Sequence, residues 1–363
     1  MLENVEDSSA LLPGIVLGEA VFLRQVSDNN LLRWFKMSPP SLPAMNDFPS
    51  VRRDRKLDLA AHAAWLYYIA GNTQDEIAIK LQISRQAAQR MVALAVSERL
   101  IKFRLDYPLS ECIALAEALR DRWELAVCEV IPTGSDPRNG IAVCAASHLE
   151  NYLLTRTPLI LAFSSGRMLR SVVEQMPPMN QPQHKIVSIV GNLSHYGHAG
   201  RHEVVMHLSD RIGSQAYPVP TPVIATSVEE RQLLQTQRSF LAVKTLAEQA
   251  KATFVGIGQV GWNCPLHRDG FIDDVEVAEL VEAGAVGEIA GWAYDRAGKL
   301  IEGATNSRVA SVPLEQPAQR LMIGVAGSSE RLEAIRAALT GKLINGLITD
   351  EESAKQLLDQ AIE

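Results

Sequence analysis

Apolar and polar residues follow two rhythms along the chain, and the change comes near Leu125. Beyond it, short and nearly unbroken apolar runs recur at Leu159–Phe163, Ile186–Val190, Thr253–Ile257 and Leu321–Val325. Such runs predict strands covered on both faces, as in a parallel sheet. Between them, Arg167–Met176, Glu203–Ile212, Glu229–Ala250 and Ser329–Leu339 carry apolar side chains at helical spacing. A last unit repeats the theme. Leu343–Ile348 reads as a strand, and Thr349 with Glu352 three residues on reads as the capping box of a helix. This alternation predicts an α/β fold, a parallel sheet with helices on both faces. Asp295-Arg296-Ala297-Gly298 lies between two apolar stretches and predicts one inserted hairpin.

Before Leu125 the pattern is helical. A first helix is expected from about Lys56 to Ala70, stopped by Gly71-Asn72. Thr73, with Glu76 three residues later, opens a second helix over Gln74–Leu81. Ser84 caps a third, from Arg85 to about Ser97. Ile77, Leu81, Ile83, Ala88 and Met91 fall on inward positions, and small Ala78 sits where two helices cross. That spacing is a helix-turn-helix, with Gln82 where many examples carry glycine in the turn. It leaves Arg85, Gln86, Gln89 and Arg90 outward on the N-terminal half of the third helix, the half that enters a major groove. Gln and Arg have the forked donors and acceptors that match adenine and guanine edges. Arg52, Arg53, Arg55, Lys56, Lys102 and Arg104 are candidates for phosphate contacts. Glu98–Arg104 alternates and predicts a short wing. The competing reading is a small helical domain with a solvated basic face.

Charge supports the first reading. The formal net charge of −7 suggests an acidic protein indifferent to nucleic acid, yet it is unevenly distributed. Residues 51–105 hold ten Lys/Arg against five Asp/Glu, whereas residues 106–363 hold 22 against 31. A compact basic segment therefore sits inside an acidic chain, the electrostatic footprint expected for phosphate binding. Residues 1–50 are poor in periodicity and crowded with proline at their end. They are expected to be a poorly ordered extension with a short helix around Leu31–Met37. Leu109–Trp123 fits an amphipathic linker helix. The expected organisation is thus 1–50, 51–105, 106–124 and 125–363.

Cysteine usage excludes other classes. Cys112, Cys128, Cys144 and Cys264 show no metal-ligand spacing, so neither a zinc site nor a disulfide framework is expected. The acidic N-terminus is unlike a signal peptide, and no apolar run approaches the ~20 residues that span a bilayer. A cytoplasmic protein is expected, with no membrane partner.

Three loops carry candidate chemistry. Ser164-Ser165-Gly166-Arg167 follows a strand and opens a helix, an arrangement suited either to an anion or polyol or to simple capping. Gly256-Ile257-Gly258-Gln259 also follows a strand, but lacks the glycine order and downstream acid of a dinucleotide loop, so no nucleotide cofactor is expected. His195, His198, His202 and His207 lie close in sequence without the spacing of a metal motif, and no metal is expected.

From about residue 51 the chain resembles the SorC family of bacterial sugar-responsive transcription regulators. Thr73–Ala78 and Ser84-Arg85-Gln86 look like its DNA-reading unit, and Gly166-Arg167 like its effector loop. Ile189-Val190-Gly191-Asn192 and Val255–Gly258 resemble two further sheet-edge loops. Gly287–Gly291, Asn306-Ser307-Arg308-Val309 and Gly341–Asp350 match its C-terminal signatures. The resemblance implies an N-terminal winged-helix-like DNA-binding domain. It also implies a C-terminal Rossmann-like sugar-binding domain, related to glucosamine-6-phosphate isomerase/deaminase, that assembles a homodimer or homotetramer. Operator DNA is the implied macromolecular partner and a carbohydrate or polyol the implied effector. Ser164, Ser165, Gly166, Arg167, Gly256 and Gly258 are its expected contacts. Glu288 and Lys342 are expected to contact hydroxyls or an anion, or else to be solvated surface charges. Ala162, Ser164 and Met168 depart from the family loop, and Met168 removes a hydroxyl, which leaves both free and phosphorylated effectors open. Gln259 stands where the related enzymes carry a carboxylate. Ring opening needs an acid/base pair, so binding without turnover is expected, against the alternative of an isomerase or deaminase fused to a DNA-binding module.

Overall fold

The computed structural model describes residues 55–98, 100–101, 110–193 and 203–359. The expected N-terminal extension and its short helix, Arg52, Arg53, Lys102, Arg104, most of the wing, and His195, His198 and His202 lie outside the described residues. The chain divides into two compact units at Ile101.

The first unit is three helices: α1 (Arg55–Tyr68), α2 (Gln74–Leu81) and α3 (Arg85–Ser97). Thr73 and Glu76 form a reciprocal capping box at the start of α2. Ser84 Oγ accepts the Ala87 N–H at 3.1 Å to start α3. Ala63, Leu66, Ile77, Ala88 and Val92 form the small core, with Ala78, Leu81, Ile83 and Met91 packed against it. Ala60, Ala64 and Ala95 form a second buried cluster, where α1 and α3 approach closely. Between α2 and α3, Gln82 adopts φ 55° and ψ 45°. This left-handed turn favours glycine, and it explains why so many helix-turn-helix sequences have one there.

The second unit opens with α4 (Ser110–Trp123) and is built on seven strands. These are β1 (Val127–Ile131), β2 (Ile160–Phe163), β3 (Lys185–Leu193), β4 (Gln215–Pro222), β5 (Ala252–Val255), β9 (Met322–Val325) and β10 (Gly346–Asp350). All pairs are parallel, in the order β1-β10-β9-β5-β2-β3-β4. Three short strands, β6 (Gly258–Gln259), β7 (Gly287–Ile289) and β8 (Trp292–Tyr294), make a separate antiparallel sheet. The remaining helices are α5 (Pro137–Leu153), α6 (Arg167–Gln175), α7 (Val205–Ile212), α8 (Val228–Thr236) and α9 (Arg238–Glu248), then α10 (Pro265–Arg268), α11 (Asp274–Glu282), α12 (Leu332–Thr340) and α13 (Glu351–Asp359). Two buried clusters, one on each side of the large sheet, make the core. The architecture is the expected mixed α/β fold around a parallel sheet.

Several details differ from expectation. Thr349 is not a helix cap: it is buried within β10, paired in register with Val130. The carboxylate of Asp350 caps α13 instead, accepting the Ser353 N–H at 3.0 Å. The expected helix Glu229–Ala250 breaks at Gln237, which takes extended φ/ψ between α8 and α9. Asp295–Gly298 is a tight turn closed by a single bridge, Tyr294 to Leu300. The true hairpin turn is Ala290-Gly291, with both φ values positive (54° and 87°), between β7 and β8. Expected as a linker, α4 buries Cys112, Ala116 and Leu119 in the core, and Arg122 donates to the Leu358 carbonyl of α13 at 2.7 Å. No helix among the described residues is long and apolar enough to cross a membrane.

Candidate functional site

From β2 the chain steps outward through β3 to β4, whereas β5 leads the other way through β9 to β10. The order therefore reverses between β2 and β5. Loops leaving the C-terminal ends of strands at such a point flank a crevice, the usual ligand site of open α/β sheets.

The two loops are joined by Ser164. Its N–H donates to the Phe254 carbonyl at 3.0 Å, and its Oγ accepts the Gly256 N–H at 3.1 Å. The residue is 2% exposed, so this hydroxyl positions the loops rather than opening to solvent. Ser165 and Gly166 follow, both partly exposed. Gly166 has φ 123°, which only glycine adopts readily, and a Cβ there would meet no atom within 4 Å. It precedes α6 without any side-chain cap. Arg167, the first residue of α6, places Nη2 2.8 Å from Asp269 Oδ1. Met168 packs against the core cluster on that side of the sheet. Position 168 thus carries packing.

Gly258 lies in β6 opposite Glu288 of β7. The Glu288 side chain passes over Gly258, where a Cβ would collide with its carboxylate. Oε2 of Glu288 accepts the Gly291 N–H at 2.9 Å. Burial pushes the carboxyl above its ordinary value, and the Gly291 N–H opposes that rise without cancelling it. Burial and the neighbouring Glu288 likewise raise Tyr294, whose hydroxyl donates to the Ala334 carbonyl at 3.0 Å.

Lys342 is not brought to this place. It precedes β10, at the opposite end of the parallel strands, and pairs with Glu124 at 2.8 Å on the surface. It is a solvated surface charge, one of the two readings open from sequence.

Other residues of this edge escaped the sequence reading. Arg331 follows β9 and directs Nη1 to the Ser328 Oγ at 3.2 Å and the Gly327 carbonyl at 3.4 Å. Burial lowers its pKa, and the positive charges of Arg138 and Arg268 lower it further, against the opposing charge of Glu330. Arg138 belongs to the first turn of α5 after β1, and Arg268 to the end of α10. They come from separate strand ends, so no single motif records them. Asp350, at the end of β10, accepts from Thr133 Oγ1 at 3.1 Å and from Ser353 Oγ at 2.8 Å, and the Ser328 N–H donates to that same Ser353 Oγ at 3.0 Å. Its carboxylate fastens the ends of β1, β9 and β10. A cavity of about 790 Å³ lies at the other edge of the sheet, lined by Tyr152, Leu159, Lys251 and Arg320 among others. It contains none of the loop residues.

In the first unit, Arg85, Gln86, Gln89 and Arg90 are all exposed on one side of α3. Thr73 and Ser84 are exposed caps at the N-termini of α2 and α3. Arg85 also pairs with Asp75 at 3.3 Å, both side chains well exposed.

Residues 107–359 match the family model Sugar-bind, described as "Putative sugar-binding domain". The chain is 32% identical over 307 residues to the erythritol catabolism regulatory protein EryD of Brucella abortus (strain 2308), covering 83% of this chain and 96% of that protein. It is 29% identical over 308 residues to the transcriptional regulator LsrR of Klebsiella pneumoniae, covering 83% of this chain and 93% of that protein. The crystal structure of the full-length sorbitol operon regulator SorC from Klebsiella pneumoniae shares the fold, with a TM-score of 0.62 at 24% identity over 84% of this chain and 99% of that chain. The chain belongs to the SorC family of sugar-binding transcriptional regulators.

Proposed function

We propose that this protein controls a carbohydrate or polyol catabolic operon in the cytoplasm, binding operator DNA under the control of a small effector. Arg85, Gln86, Gln89 and Arg90 read base edges from the N-terminal half of α3, with Thr73 and Ser84 at the helix ends that face phosphates. Ser165, Gly166 and Arg167 hold one polar end of the effector, with Ser164, Gly256 and Gly258 shaping the crevice and Glu288 offering a carboxyl to a hydroxyl. A relative named for erythritol catabolism supports a polyol or sugar as the effector class. The observation that carries this reading is the meeting of the β2 and β5 loops at the strand-order reversal, joined by Ser164. The active species is a homodimer or homotetramer. Binding acts by favouring one arrangement of that assembly, since a ligand with equal affinity for two states shifts nothing.

Gln259, whose amide does not ionise near neutral pH and so does not serve as a general acid or base, supports binding without turnover. A thermal-shift screen over sugars, polyols and their phosphates tests the reading, because a ligand bound only by the folded state raises its melting temperature. Stabilisation by one class, with the compound recovered unchanged, is expected. Conversion of a sugar phosphate would establish the isomerase or deaminase reading instead, and no stabilisation by any compound would overturn effector binding.

A further inference from the structure

Arg167 is the cation of the β2–α6 loop, yet its charge is already answered within the chain. Its Nη2 donates to Asp269 Oδ1 at 2.8 Å, across 102 residues of sequence. The side chains are 33% and 31% exposed, so water screens this attraction only in part. Gly166 beside the pair contributes no side chain, and a Cβ there would meet nothing within 4 Å. An incoming group therefore meets a guanidinium and a carboxylate together. A hydroxyl satisfies both, accepting from the one and donating to the other. A phosphate or carboxylate group satisfies only the guanidinium and is repelled by Asp269. Among the other charges of this edge, Arg268 is adjacent to Asp269 and exposed, Arg138 and Arg331 belong to the ends of β1 and β9, and Asp274 is engaged by His267 at 2.8 Å.

We propose that Asp269 is a specificity-determining residue of the effector site: by neutralising Arg167 it selects an uncharged, hydroxyl-bearing end of the effector over an anionic one. This rests on the reading that the effector enters between the β2 and β5 loops. Removing the carboxylate, as in Asp269→Asn, removes the negative charge that repels an anion approaching the guanidinium.

The test is calorimetric titration of the full chain with inorganic phosphate and, separately, with erythritol, xylitol and sorbitol. Wild type, Asp269→Asn, Asp269→Ser and the double variant Arg167→Gln/Asp269→Asn are compared. Asp269→Asn is expected to bind phosphate severalfold more tightly than wild type, up to about fivefold, the scale of one partly screened charge pair. The double variant is expected to lose that gain, and Asp269→Ser to reproduce it where Asp269→Asn fails to fold. Equal phosphate affinity in wild type and both single variants would overturn the proposal. So would a gain that persists in the double variant, which would assign the phosphate to Arg138, Arg268 or Arg331. The polyol arm is read separately. Should no polyol bind any form while the Arg167-dependent phosphate gain is present, the choice of effector class fails and the role of Asp269 stands.

Discussion

Glu288 can lie across β6 only because residue 258 is glycine. A Cβ on Gly258 would overlap the Glu288 carboxylate, the part of that side chain held by the Gly291 N–H at 2.9 Å. Gly258→Ala therefore expels Glu288 from its place over β6. The expected cost is about 1–3 kcal/mol of stability, the range for overpacking a close contact, together with weakened effector binding. Chemical denaturation and effector titration check the two effects, and a variant with both properties of the wild type would contradict this packing.

Glu288 also makes stability depend on pH. Its pKa is raised in the folded state by burial, so in the window between its ordinary and its raised value the folded chain holds more protons than the unfolded one. Stability from this group is full in acid and is lost as pH rises through that window. Glu288→Gln should flatten that part of the profile and make the protein relatively more stable at neutral pH. Urea unfolding of both proteins from acid to neutral pH tests the sign.

Ser328 stores strain at the same edge of the sheet. Its φ of 118° and ψ of 149° lie in a region almost confined to glycine. The serine earns one hydrogen bond there, from Arg331 Nη1 to its Oγ at 3.2 Å. Ser328→Gly should relieve strain on the order of 1 kcal/mol and raise the melting temperature slightly. It also removes one of the two acceptors of Arg331 Nη1, leaving the Gly327 carbonyl.

His184 is a structural fastener. It is fully buried; its Nδ1 accepts the Leu159 N–H at 3.1 Å, and its Nε2 lies 3.0 Å from the Leu153 carbonyl, which requires the proton on Nε2. It thereby fixes the connection from α5 to β2 and, with it, the strand that leads to Ser164. His184→Ala leaves one buried and one part-buried backbone group without their imidazole partner, and a loss of about 2 kcal/mol is expected in equilibrium unfolding.

Much of this was legible where local physics decides. Thr73, Ser84 and their partners mark helix starts by short-range hydrogen bonds, and α2 and α3 begin where those residues predict. Buried strands announced themselves as apolar runs. Legibility failed where position depends on the whole sheet. Lys342 and the Ser164 loop look alike as strand-flanking polar segments, but only topology shows that one precedes its strand and the other follows. Arg138 and Arg268 act on the charge of Arg331 from elements distant in the chain, which no local motif records. β4 was hidden by Pro218, Pro220 and Pro222, which are tolerated because it is an edge strand. α5 was hidden by burial spread around it: Ile141, Ala142, Ala145, Ala146, Leu149 and Leu153 leave no clear polar face to set a period.

The exposed side of α3 makes its own prediction. Arg85→Ala/Gln86→Ala should remove discrimination between operator and unrelated DNA while weak, salt-sensitive binding persists, because base readers are lost and phosphate contacts remain. Competition binding at two salt concentrations measures this, and retained selectivity would refute the assignment.

Regulation in this protein requires coupling between the sheet-edge loops and DNA. The most direct test is fluorescence anisotropy of an operator fragment, titrated with the stabilising sugar or polyol, for wild type and Arg167→Ala. The account predicts that the effector midpoint moves by at least tenfold in Arg167→Ala, each protein being referred to its own effector-free affinity. The same midpoint in both proteins would contradict it.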